Sequence, residues 1–142
     1  VENFQELLEN IFEPLFAITI DPSIDPKLHK FLLSIVGFDS VDDESAYEKT
    51  PNEDQLLIPP SEYTKEENPH YCYYMYYFWA NINALNHLRT LRGLNTFMFR
   101  PHCGEAGSVE HLMASYLVAD SINHGIMLEK SPVMQYLYYL RQ

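Results

Sequence analysis

Thr96-Phe97-Met98-Phe99-Arg100-Pro101-His102-Cys103-Gly104-Glu105 is the stretch on which the fold turns. A short apolar run leads into a histidine, with a carboxylate three residues beyond it. About one strand–helix unit later a second short run, Ser121-Ile122-Asn123-His124-Gly125-Ile126-Met127, carries another imidazole. In a barrel of alternating strands and helices, the C-terminal ends of the strands converge on one mouth, where the chemistry is done. Two successive strands bringing His102, Glu105 and His124 therefore predict part of a hydrolytic metal site.

Working outward, the periodicity predicts helices between the strands. Phe4, Leu7, Leu8, Ile11, Phe12, Leu15 and Phe16 recur at three- and four-residue spacing, with Pro14 predicting a kink or an early stop. Pro26 suits the first position of a short helix through Ile35. The stretch 36–44, Val36-Gly37-Phe38-Asp39-Ser40-Val41-Asp42-Asp43-Glu44, reads as a buried strand running into an acidic loop. The polar stretch 45–69 reads as a long surface loop. Tyr71 to Arg92 is the longest periodic segment, stopped by Gly93. Its aromatic start, from Tyr71 to Trp79, suits either a nucleobase-stacking platform or, more commonly, a helix buried between neighbours. Leu94 to Phe99 is the next strand, Val109 to Ala119 a helix with Ser108 as its N-cap, and Ser131-Pro132 opens a last helix. Strand and helix alternate three times, which predicts parallel pairing.

A length of 142 residues suits one core, while a complete eight-stranded α/β barrel needs roughly 200 residues or more. The expectation is thus a section of a barrel. The start at Val1 and the end at Gln142 inside an expected helix point the same way. A formal charge of −11 repels phosphate backbones, so nucleic acid and anionic membranes are not expected partners. No apolar stretch approaches a spanning helix and no signal-peptide pattern is present. Cys72 and Cys103 read as free thiols, and a soluble cytosolic protein is expected.

A histidine such as His102 can present a neutral ring nitrogen to a metal, or be an ordinary structural residue. Glu105 shifts the balance, because a buried, protonated carboxyl can lean over the same site as proton donor. His124 can accept a proton from water that a metal has acidified. Asp39, Asp42, Asp43 and Glu44 either line the same mouth or form a solvated acidic loop. Glu110-His111 reads as an exposed polar face, Cys103 as packing, and Arg100 as a phosphate contact or a strand-end cap. His29, His70 and His87 have no evident partners.

Four stretches carry a resemblance: 99–107 (Phe99-Arg100-Pro101-His102-Cys103-Gly104-Glu105-Ala106-Gly107), 123–126 (Asn123-His124-Gly125-Ile126), 130–140 (Lys130-Ser131-Pro132 through Leu140) and 36–45 (Val36-Gly37-Phe38-Asp39 through Ser45). In order and spacing they closely resemble AMP deaminase, of the adenosine deaminase superfamily. The likeness runs over essentially the whole chain, and the Arg100-Pro101-His102 form separates it from plain adenosine deaminases.

The resemblance implies an α/β fold, a partial (β/α)8 TIM barrel of about three central βα units. These are strands four to six with surrounding helices, and residues 1–142 form a single segment of the catalytic barrel. It also implies a zinc-dependent hydrolase converting AMP and water into IMP and ammonia in the cytosol, with full-length relatives forming homotetramers. His102 matches the zinc-ligand histidine. Glu105 matches the substrate-binding glutamate that protonates the purine ring nitrogen, and His124 matches the catalytic histidine. The family's first zinc pair (two histidines separated by one residue), its phosphate-binding basic segment and its aspartate pair have no counterpart here. The chain alone is therefore expected to be inactive. The alternative from another class is a truncated, non-catalytic interaction module that docks on complete subunits through exposed strand edges and apolar faces.

Overall fold

The computed structural model describes residues 1–40, 43–46 and 53–141. Its first helix, α1 (Phe4–Ile20), starts where Asn3 Oδ1 accepts the Glu6 N–H at 2.9 Å. It buries Phe4, Leu8, Phe12 and Ile18. Of the two effects expected of Pro14, the early stop does not occur, and α1 runs through it to Ile20. Pro14 and Asn10 both lie on the exposed side, where the carbonyl freed by the missing N–H is open to water. Asp25 caps α2 (Pro26–Leu32) by accepting from the Lys27 and Leu28 N–H groups, with Pro26 in the first turn. The helix ends three residues earlier than expected. Asn95 explains this, since its Nδ2 donates to the carbonyls of both Leu32 and Ile35 at 3.0 Å and so replaces further helical turns.

Regular strand is shorter than the sequence predicts: β1 (Gly37–Phe38), β2 (Met98–Phe99), β3 (His102–Cys103) and β4 (Asn123–His124). Pairing is parallel throughout, with Gly37 opposite Met98 and Cys103 opposite His124. Backbone bonds nevertheless extend both ladders. The Met98, Arg100 and His102 N–H groups donate to the carbonyls of Val36, Phe38 and Ser40. On the other side, Asn123, Gly125 and Met127 donate to Pro101, Cys103 and Gly104. Pro101, with no N–H to give, divides what would be one strand into β2 and β3. Three chain segments thus run side by side, the central one between β1 and β4. Residues 97, 99, 101 and 103 of the central segment are buried, while 96, 98 and 100 are exposed, which is the period-2 pattern of a strand with one covered face.

Helices cover that face. The stretch 45–69 carries a short helix, α3 (Glu53–Leu56), a 3-10 turn at Pro60–Glu62 and buried Tyr63. Val41, Asp42 and residues 47–52 lie outside the described residues. α4 (Tyr71–Leu91) is capped by Arg92 and followed by Gly93 at φ +68°, as its sequence predicts. α5 (Glu110–Val118) and α6 (Pro132–Arg141) complete the order, with a 3-10 turn at Ile126–Lys130. Ser108 Oγ accepts the Glu110 N–H at 3.1 Å, which gives α5 its N-terminal partner.

The main core joins Phe4, Leu8 and Phe12 of α1 with Tyr71, Tyr73, Met75 and Ile82 of α4, Phe99, Cys103, Leu112 and Met134. A second cluster holds Ile18, Leu32, Leu85 and Phe97. Each large apolar side chain buried contributes about 1.5–3 kcal/mol, against about 1 kcal/mol for a helix cap, so the core dominates. The fold is α/β and mostly helical, with small parallel sheets. Among the described residues no helix is long and apolar enough to cross a membrane.

The aromatic start of α4 divides by depth: Tyr71, Tyr73 and Met75 are buried and Tyr76 is exposed. The hydroxyls find carbonyl partners: Tyr71 donates to His102 O, Tyr73 to Ile58 O and Tyr138 to Leu112 O, each at 2.8 Å. Burial holds the Tyr63, Tyr71, Tyr73 and Tyr138 phenols above their ordinary value of 10.0. An unfolded chain releases those protons near 10 and the native one keeps them. Their contribution is complete below that pH and is lost as pH climbs beyond it. Alkaline titration is expected to unfold the protein cooperatively, with tyrosinate absorbance rising in the same transition. Gradual ionisation of all eleven tyrosines with circular dichroism unchanged would contradict this.

Candidate active site

The C-terminal ends of the three parallel segments deliver the site. Asp39 follows β1, His102 opens β3, Glu105 sits two residues past β3, and His124 ends β4. His102 Nδ1 lies 2.8 Å from Asp39 Oδ1, and the His102 and His124 rings stand 4.8 Å apart at 58°. His124 Nε2 is 3.4 Å from Glu105 Oε2. The side chains are 25–54% exposed, so they line an open face and are not a sealed core network. His102, Glu105 and His124, singled out from the sequence, are therefore brought together, and Asp39 joins them.

The backbone here is unusual. His124 is the one non-glycine residue with positive φ (77°) among the described residues. Single residues held in this region cluster at working sites, because the surroundings must over-determine them. Gly107 has φ +75°, and a Cβ there would overlap the Glu44 carbonyl oxygen, so no side chain fits. From beneath, Tyr71 ties α4 to the site by its bond to the His102 carbonyl and a 2.7 Å contact with Ser115 Oγ.

With His102 Nδ1 engaged by Asp39, Nε2 is the nitrogen left to meet a metal, the usual arrangement of a carboxylate behind a ligating histidine. Among the described residues no group of three or more His, Cys, Asp or Glu side chains is arranged to hold a metal ion. Catalytic zinc keeps three protein ligands. The residues present fit one coordination position and not a closed site.

A family model described as AMP deaminase matches residues 1–142, the whole chain. The chain belongs to the AMP deaminase family. It is 56% identical over 146 residues to AMP deaminase 3 of Homo sapiens, covering 99% of this chain and 18% of that protein. To AMP deaminase 1 of Homo sapiens it is 53% identical over 146 residues, covering 99% and 19%. The AMP deaminase of Dictyostelium discoideum is 53% identical over 139 residues, covering 98% and 17%. The chain thus spans less than a fifth of the length of these relatives.

Other sequence candidates divide. Arg100 Nε donates to Ser121 Oγ at 3.0 Å, bridging to the segment that leads into β4. Cys103 is fully buried, and burial pushes its thiol up, in keeping with packing. His111 corrects an expectation: it is buried and stacked on Tyr71 at 4.2 Å, while Glu110 is exposed. Asp43 is exposed and accepts from Ser45, whose hydroxyl holds its carboxyl below the ordinary value. Asp42 lies outside the described residues. His70 caps α4, its Nδ1 accepting the Cys72 N–H and lying 3.0 Å from Cys72 Sγ. His29 is half-buried and His87 exposed. Ser115 carries no signal in the sequence, and Tyr71 stands out only as part of the aromatic start of α4, since its spacing does not mark which strand, 31 residues on, its hydroxyl reaches.

Proposed function

We propose that this segment supplies strands four to six of a (β/α)8 catalytic barrel and carries part of the site for hydrolytic deamination of AMP to IMP and ammonia. The observation that carries the reading is the convergence of His102, Glu105 and His124 from adjacent parallel strand ends. His102 would hold zinc through Nε2, with Asp39 fixing the ring from behind. Zinc, when bound, lowers the pKa of water to near 7. His124 takes the proton that water releases on adding to the amino-bearing ring carbon. Glu105 gives its proton to the neighbouring ring nitrogen. His124 then passes the proton it took from water to the amino group, the C–N bond breaks to release ammonia, and the new hydroxyl returns a proton to Glu105 as it becomes the carbonyl of IMP. The remaining zinc ligands and the phosphate contacts come from elsewhere in the full-length protein, which assembles as a cytosolic homo-oligomer.

The test is ammonia release from AMP by the full-length protein carrying this segment. Turnover abolished by a chelator and restored by zinc is the expected result. A purified, folded full-length protein that binds zinc yet leaves AMP untouched would sink the assignment.

A further inference from the structure

We infer that Glu44 is a positioning residue for Glu105, clamping the loop that carries the proton donor; the inference rests on the role given to Glu105 above. Glu105 stands on an exposed loop between Gly104 and Gly107, both at positive φ, so its own backbone does little to fix it. Glu44 grips that loop twice. Its Oε2 accepts the Glu105 N–H at 2.9 Å, and its carbonyl oxygen lies against Gly107 so closely that a Cβ there would overlap it.

Glu44 is not a solvated loop acid. It is only 8% exposed, and its Oε1 is buried with no hydrogen-bond partner among the described residues. A buried carboxylate oxygen left unpaired is a stability burden, and such groups persist where they do a job. The visible job is the charge-assisted bond to the Glu105 amide. Through it, the segment after β1 sets where the Glu105 carboxyl stands relative to His124. Displacing a reacting group by about 1 Å can cost about 10²-fold in rate.

The experiment uses the full-length protein with Glu44→Ala, Glu44→Asp and Glu44→Gln. Alanine removes the acceptor and aspartate is one methylene too short, so both should lower kcat for AMP by about 10²-fold with KM little changed. Glutamine keeps a carbonyl acceptor and should stay within about tenfold of the parent. Hydrogen exchange at the Glu105 amide, followed by mass spectrometry, should quicken in Glu44→Ala and Glu44→Asp but not in Glu44→Gln. Unchanged kcat and exchange in Glu44→Ala, a rise in KM alone, or Glu44→Gln as impaired as Glu44→Ala would each overturn the inference. If the parent protein does not deaminate AMP, the proposed function fails, while the exchange measurement still decides whether the clamp exists.

Discussion

Glu105→Gln is expected to lower kcat for AMP by about 10²–10⁴-fold in the full-length protein, the range general acid–base catalysis supplies. Glutamine has the same shape and keeps the backbone N–H that Glu44 holds, so the loop stays in place. What it lacks is a proton to give the ring nitrogen. The contact with His124 Nε2 at 3.4 Å survives in form, since the amide oxygen can still face the imidazole. Binding of AMP should therefore change far less than turnover. Steady-state ammonia release against AMP concentration separates the two, and undiminished kcat would remove Glu105 from the chemistry.

His124→Asn is expected to cost a comparable 10²–10⁴-fold, about the contribution of a single proton acceptor. The choice of substitute follows from the backbone. At φ 77° a β-branched residue would be strained, whereas asparagine tolerates the left-handed region. Folding is thereby kept while the imidazole is lost. Thermal melting should shift little as turnover collapses. Equal loss of both would mean that His124 serves the turn and not the proton.

The long elements were legible because their signals are local. α4 follows from its periodicity and its Gly93 stop, and α1 from its apolar stripe. Errors arose where a distant side chain decides. α2 ends at Leu32 because Asn95, more than sixty residues on, takes its last carbonyl. The strand split at Pro101 needed knowledge of which neighbour lay on which side. His111 read as surface from its charged neighbour Glu110, yet it stacks on Tyr71. In the site, His102, Glu105 and His124 stood out because metal and proton chemistry favours those residue types at strand ends. Asp39 and Glu44 were visible only as members of an acidic run, since the partner of each lies about sixty residues away.

The 3.4 Å approach of Glu105 to His124 has a consequence for how a ligand enters. Glu105 and His124, assigned above to different atoms of a purine, reach toward one another across the open face. A half-exposed hydrogen-bonding contact of this sort is worth about 1 kcal/mol, less than a tenfold factor in affinity. A flat heterocycle can therefore wedge them apart at little penalty. Glu105 and His124 thus stand within reach of one another, yet are held together too weakly to resist separation.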